Sequence, residues 1–451
     1  MWFTPGAGRN PGTPLVCSGP ALAGCPIPWP SLREEYSFEK PYPAQYHLKP
    51  ELSLITIGRG FDPGALAVHT PGVSSSIATS GYSHQAAAVA AAAEAVRSGG
   101  LAIIPTETVY GIAANAADAS AVARLYAQIV QPELHAPLPP ASSWHAPDAA
   151  RVIEALGVTH PLHLRIFQKL TPGPVRLMVQ KTPEQVEAIL AKLGVAPGVI
   201  DRKNEIWVRI PDHPLAQAVL EQAGGVVIAD RISAYGLGDG RTLPEDMGPA
   251  MQRMGIAAVV DDGPTRLGKP STPIHLGMDG GFEVVPGGLY DERYVRKKIE
   301  RVVLFVCTGN TCRSPMAEAI ARDVLAKNKP VIPTRVVSAG VSASGGEPMT
   351  REAKEALTEM GVDPAGHRAR ALTRELLGEA EVVFTMTRAH KQAVEDIAPG
   401  AAGKVRVLDP AGKDVKDPIG GSQDEYRSTA GSLRALVEQR LLELDRERMG
   451  S

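Results

Sequence analysis

Cys307 and Arg313 bracket five residues, Thr308, Gly309, Asn310, Thr311 and Cys312, and Arg313 is followed by Ser314 and Pro315. A thiol six positions ahead of a guanidinium, with a glycine between them, suits attack on phosphorus. A short loop that closes onto a helix N-terminus turns its backbone N–H groups inward and makes a concave anion site, reinforced by the helix dipole. The same field favours the thiolate of Cys307 at neutral pH, because thiol pKa falls at helix N-termini and beside Arg. Arg313 offers two parallel donors to a tetrahedral oxyanion. The expected chemistry is attack of Cys307 on phosphorus, giving a thiophosphoryl enzyme that water then hydrolyses. Thr308, Gly309, Asn310, Thr311, Cys312 and Ser314 are the residues expected to bind the phosphate.

That chemistry needs a strand before the loop and a helix after it. Val302 to Val306 is an apolar run too short for a helix and rich in β-branched residues, which reads as a buried strand. Beyond the loop, Met316, Ala317, Ile320 and Val324 recur at helical spacing, and Ser314 and Pro315 suit a helix start. Downstream, Thr334 to Gly340 reads as a strand, and Arg351 to Met360 as a helix stopped by Gly361. Glu381 to Met386 and Lys404 to Leu408 read as further strands. A last helix begins near Gln423, with Tyr426, Ala430, Leu433, Val437, Leu441 and Leu444 at spacings of three and four. This alternation predicts a doubly wound, four-stranded parallel-sheet α/β domain over residues 300–446.

Breaking a P–O or P–N bond requires a carboxylic acid within reach of the leaving group. Asp409-Pro410 and Asp417-Pro418 are the candidates, and Asp409, at a strand end, reads as a turn residue. In this order of elements the segment resembles the whole low-molecular-weight protein phosphatase fold. The form CTGNTCRSPMAE resembles the protein-arginine-phosphatase branch, in which a Thr stands at the position of Thr311. The resemblance places the acid before the final helix, in a stretch like DPIGGSQDEY, and so implies Asp417 as acid in the first half-reaction and base toward water in the second. It implies a phosphorylated protein as partner, no cofactor, and phosphoarginine ahead of phosphotyrosine as substrate. Cys312 is expected to pack, or to form a reversible disulfide with Cys307.

A second constellation lies upstream. An alanine-rich helix from Gln85 ends at Gly99 and Gly100, and the strand Leu101 to Ile104 runs into Pro105, Thr106, Glu107, Thr108, Val109, Tyr110 and Gly111. Polar residues at a strand end are where ligands of α/β folds often bind, and they also make ordinary turns. FQKLTPGPVRLMV from Phe167, EIWVRIPDHPLA from Glu205, GGVVIAD from Gly224, VVDDGPTRLGKPST from Val259 and VVPGG from Val284 follow in order. With these pieces, residues 85–292 resemble the YrdC-like domain of threonylcarbamoyl-adenylate synthases. The resemblance implies an α/β fold with a twisted sheet around an open nucleotide cavity, and a pocket at Thr106, Thr108, Tyr110, Arg209, Ser271 and Thr272. That family makes a carbamoyl adenylate from threonine, bicarbonate and ATP for tRNA modification. The alternative reading is therefore a synthase with an accessory phosphatase domain, in contact with RNA or a nucleotide.

The departures from that family argue for the phosphatase reading. Its Lys-x-Arg pair becomes Ile129 and Gln131, and its Ser-Ala-Asn stretch becomes Ala229 to Tyr235 without the Asn. Its late Arg becomes Val285, and a Thr becomes Arg176. Each lost charge-assisted bond is worth about 1.5–3 kcal/mol. The expectation is a degenerate domain that keeps the fold and some small-ligand binding, with ATP and threonine binding and synthase activity weakened.

A chain of 451 residues has room for two or three domains. Between residues 85 and 298 it carries 20 Lys plus Arg against 22 Asp plus Glu, and the formal charge of the whole is −2, so no broadly basic surface points to nucleic acid or membrane. No apolar run approaches the roughly 18 residues of a spanning helix. Four cysteines, Cys17, Cys25, Cys307 and Cys312, make no disulfide scaffold, and a nucleophilic thiol suits a reducing compartment, with the cytoplasm as default. Ten of the first fifty residues are Pro, and residues 1–80 read as a disordered tail, either functional or an overextended gene start without the basic region of a signal peptide. Cys17 and Cys25 lack partners at metal-ligand spacing, and no metal site is expected. The basic seam DERYVRKKIERVVLFV reads as a solvated linker or helix end.

Overall fold

All seven residues of the strand Arg301–Cys307 are buried in the computed structural model. The strand pairs in parallel with Thr334–Gly340 on one side and Val382–Thr385 on the other, and Val405–Val407 closes the edge. Alternate residues enter different cores. Val303, Phe305 and Cys307 pack with Met316, Ile320, Leu433 and Val437, whereas Val302, Leu304 and Val306 pack with Leu377 and Val394. Burial on both faces is why this strand reads as an unbroken apolar run rather than an alternating one. The expected four-stranded parallel sheet is present, with the later strands a residue or two shorter than read and helices at Arg351–Glu359 and Gln423–Arg446.

The helix Arg313–Asn328 follows the loop and is buried almost continuously from Arg313 to Ala321, between the sheet and the final helix. Its first residues are thereby fixed against the carboxyl end of the central strand. That is the position the anion site requires.

The upstream domain is built on a mixed sheet in which Leu101–Ile104, Gly111–Asn115, Val227–Arg231, Ser143–His145, Glu205–Arg209 and Val175–Gln180 lie side by side in that order. The structure describes residues 55–57, 81–129, 142–364 and 366–446. The reading of residues 1–80 as a tail is corrected at one place: Ile55–Ile57 forms a strand parallel to Ile256–Val260, supplying its backbone groups with ladder partners. Cys17, Cys25 and Gln131 lie outside the described residues.

The basic seam is a helix, Glu292–Ile299, capped by the Asp291 carboxylate, with Val295 and Ile299 buried in the upstream core. Arg165, 1% exposed, reaches from the upstream domain to Glu381, just before the strand Val382–Thr385 of the four-stranded sheet, with Nη2 2.8 Å from Oε2 and Nη1 3.2 Å from Oε1. It also donates to the carbonyls of Ile299 and Glu300. The two domains therefore share a buried, fully bonded guanidinium rather than a solvated linker.

Candidate active site

Cys307 ends its strand with the sulfur 2.9 Å from the hydroxyl of Ser314, in the first turn of the following helix. The loop between them turns at Asn310, whose φ of +57° lies in the left-handed region that Asn tolerates better than most residues. Asn310 is fully buried, and every polar group of its side chain is used. Its amide donates to Ser314 Oγ and Ser338 Oγ, each at 2.9 Å, and its side-chain oxygen accepts from the Arg370 N–H at 2.9 Å. Its carbonyl accepts from His367 Nε2 at 2.8 Å. Ser338 in turn donates to Glu318 Oε2 at 2.6 Å. These directions leave the Ser314 proton for the Cys307 sulfur or for the Ala339 carbonyl at 3.3 Å.

Burial pushes the Cys307 thiol up, and the Ser314 hydroxyl, the N–H groups of Ser314 and Asn310 and the Arg313 charge oppose it without reversing it. The expectation that the loop by itself depresses this pKa is corrected on that balance. A sulfur 3% exposed gives up most of its hydration before the loop supplies donors in exchange.

Arg313 is 4% exposed, and its guanidinium points to the segment before the final helix, donating to the Val415 carbonyl at 3.1 Å and to Asp417 Oδ2. Asp417 is about two-fifths exposed, and its other oxygen accepts from the Ile419 N–H at 3.3 Å. The structure thus brings Asp417 to the mouth of the loop that carries Cys307 and Arg313, although it lies 104 residues beyond Arg313. Asp409 accepts from the Ala411 N–H as a turn residue.

The other loop residues divide their roles. The Thr308 hydroxyl lies 2.8 Å from His390 Nε2, and Thr311 is half-buried with its hydroxyl 3.6 Å from the Cys312 sulfur. Cys312 is buried with its sulfur near Thr350 Oγ1 and 3.5 Å from the Tyr426 hydroxyl, a packing position, and neither loop thiol is in a disulfide. Gly309 is half-buried between them. Ser314, read as a phosphate ligand, spends its hydroxyl on the sulfur and on Asn310.

Several groups at this site escaped the sequence reading. His390 is 7% exposed, with Nδ1 buried and unpartnered among the described residues; burial and the Arg313 charge lower its pKa. Gly340 carries the loop at close range: a Cβ there would stand 2.4 Å from the Thr308 carbonyl oxygen and 2.9 Å from the Asn310 nitrogen. Gly340 and His390 follow the carboxyl ends of the strands flanking Cys307, the general ligand edge of parallel sheets, which is the one signal that pointed to them.

In the upstream domain, Thr106, Thr108 and Arg209 meet. Arg209 Nη2 donates to both hydroxyls, at 3.2 and 2.6 Å, and to Glu107 Oε1 at 3.1 Å. Tyr110 is bonded instead to Asp261, Gly263 and Asp262, and Thr272 to the backbone of Tyr290. Ser271 is half-buried ahead of its strand. Tyr235 is 1% exposed and donates to Asp230 Oδ2, as does Ser142. Arg176 stacks on Trp207 with its Nε buried and unpartnered among the described residues, and His145, beside Arg209, is pushed down to about 3 by burial.

Residues 302–449 match the family described as low molecular weight phosphotyrosine protein phosphatase. A protein-arginine-phosphatase of Bacillus subtilis is 39% identical over 150 residues, which are 32% of this chain and 98% of the relative. The chain belongs to this phosphatase family. A low molecular weight protein-tyrosine-phosphatase of Staphylococcus epidermidis is 32% identical over 139 residues, 30% of this chain and 94% of the relative. Residues 94–285 match the family described as telomere recombination, of the Sua5, yciO and yrdC type. There a threonylcarbamoyl-AMP synthase of Bacillus subtilis is 28% identical over 205 residues, 46% of this chain, and the chain spans about half (55%) of that relative's length. The phosphatase thus carries a YrdC-like domain, and no described helix is long and apolar enough to cross a membrane.

Proposed function

We propose that this phosphatase dephosphorylates proteins through a phosphorylated Cys307, with phosphoarginine as its substrate. The observation that carries the reading is the Cys307 sulfur 2.9 Å from the Ser314 hydroxyl, in a loop whose guanidinium, Arg313, is already bonded to Asp417. A phosphate entering the loop competes with Asp417 for Arg313. Exchange of one oxyanion for the other frees the carboxyl at the mouth, where the leaving group emerges. The thiol proton that burial retains passes to the incoming phosphate dianion, so the sulfur attacks as the anion and Ser314 turns its proton to it. The S–P bond forms as the P–O or P–N bond breaks, and Asp417, which takes up a proton from solvent once it leaves Arg313, gives that proton to the departing oxygen or guanidinium nitrogen. Asp417 then takes a proton from water as it attacks phosphorus, and the sulfur leaves as an anion onto Ser314. These steps draw on side chains and water alone.

Support for phosphoarginine comes from the relatives bearing that name and from the half-buried hydroxyl of Thr311 in the loop. The test compares parent and Cys307→Ser on p-nitrophenyl phosphate, a phosphoarginine protein and a phosphotyrosine peptide. Turnover by the parent, highest on phosphoarginine, and none by the variant is expected. Equal rates for the two proteins would exclude Cys307. A nucleophilic thiol of this kind works in a reducing compartment, and the cytoplasm is the proposed location.

The YrdC-like domain is proposed to be silent as a synthase. ATP does not suit the residues present: Arg209 is engaged by Glu107 and two threonines, the stretch from Ala229 to Tyr235 lacks the family's Asn, and Val285 stands where the family has Arg. No threonine-dependent release of pyrophosphate from ATP, with or without RNA, is expected of the full chain, and its detection would restore the synthase reading.

A further inference from the structure

A cavity of about 480 Å³ lies between the first turns of the helix Arg313–Asn328 and the segment ending at Arg370. It is within the size range of pockets that hold nucleotide-sized ligands. Its lining includes Arg322, Arg368 and Arg370 with His367, against a single carboxylate, Glu318. That carboxylate is spent: Oε1 pairs with Arg322 at 2.6 Å and Oε2 accepts from Ser338 at 2.6 Å. Three guanidiniums less one carboxylate leave the lining two charges positive. None of these arginines takes part in the phosphatase steps.

The same segment holds the catalytic loop. His367 Nε2 donates to the Asn310 carbonyl and the Arg370 N–H to the Asn310 side chain, and the Asn310 amide sets the Ser314 hydroxyl that faces Cys307. An anion that gathers Arg368 and Arg370 therefore bears on the residue whose left-handed backbone shapes the loop. We propose that this cavity is a second, non-catalytic anion site that takes a small polyanion with two or more phosphate groups and transmits its occupancy to the loop through Asn310. Arginine forks suit multidentate phosphate, and with Arg322 paired to Glu318 the two remaining forks, Arg368 and Arg370, match a ligand that carries more than one phosphate group. Because coupling between binding free energies is reciprocal, the ligand alters the affinity of the loop for phosphate by the same factor as loop occupancy alters its own.

The probe is inorganic tripolyphosphate, titrated by calorimetry into the full chain, into Arg313→Ala and into Arg368→Ala/Arg370→Ala, with sodium chloride matching ionic strength. Binding of similar affinity in the parent and Arg313→Ala, weakened at least tenfold in the double variant, is expected. So is a change in kcat for p-nitrophenyl phosphate that the double variant loses. Binding abolished by Arg313→Ala but retained in the double variant, with purely competitive inhibition, would place the anion in the catalytic loop and overturn the proposal. So would absence of binding, or binding that sodium chloride removes equally from all three proteins. Arg322→Gln, on the opposite wall, gives a second reading should the double variant fold poorly.

Discussion

The sulfur of Cys307 and the hydroxyl of Ser314 stand 2.9 Å apart across the strand-to-helix loop, with Ser314 oriented from behind by the Asn310 amide. The hydroxyl is one of the donors set against the burial that raises this thiol. Ser314→Ala removes a donor that favours the anion. The sign follows: the pKa moves further up, and at any pH below it less thiolate is present. The pH midpoint of Cys307 alkylation by iodoacetate is expected to rise, and kcat to fall by about tenfold or more, one lost bond to a charged group being worth about 1.5–3 kcal/mol. An unmoved midpoint would show that the hydroxyl belongs to Ala339 instead.

Asp417→Asn keeps the shape of the segment and removes the proton donor. Loss of a positioned acid costs about 10²–10⁴-fold. The loss should be largest for alkyl or guanidinium leaving groups and smallest for p-nitrophenolate, which departs without help. Steady-state kcat/KM across a series of leaving groups measures this, and a uniform loss would assign Asp417 to holding Arg313 only.

Gly340→Ala places a methyl group 2.4 Å from the Thr308 carbonyl. Neither backbone can yield without moving the loop. We expect a loss of stability of about 1–3 kcal/mol, typical of overpacking, and a fall in kcat that exceeds the fall in a control such as Gly403→Ala, which meets nothing within 4 Å. Denaturant unfolding and p-nitrophenyl phosphate kinetics read the two effects separately.

Arg165→Met breaks the bonds that join the domains at Glu381, Ile299 and Glu300. Removing one partner of a fully buried pair costs about 3–5 kcal/mol, and the cost here falls below that range because Glu381 is 20% exposed and keeps Lys169 at 3.6 Å. Calorimetry should resolve two unfolding transitions where the parent shows coupled unfolding. A single, unshifted transition would mean that the interface stands without this contact.

Phosphatase chemistry was legible in the sequence because its central parts are local. Cys307, Asn310, Arg313 and Ser314 fall within eight consecutive residues, and the apolar strand before them and helical spacing after them are local patterns too. Asp417 was legible only through resemblance, since nothing in Asp417-Pro418 by itself separates it from Asp409-Pro410. Of the residues read as a pocket in the upstream domain, Thr106, Thr108 and Arg209 converge, while Tyr110 and Thr272 are bonded elsewhere.

By itself, then, the sequence determined the strand, loop and helix that carry Cys307 and Arg313 and the two α/β domains, because spacing along a strand, a tight turn and a helix leaves little geometric freedom. Tertiary structure alone decided that Gly340, Ser338, Glu318, His367 and His390 surround the loop, that Asp417 meets Arg313, and that Arg165 binds the domains together. Parallel strands are joined by long crossovers, so residues tens of positions apart arrive side by side at the carboxyl edge of the sheet. Their contacts depend on register and burial, and the local pattern of residues encodes neither.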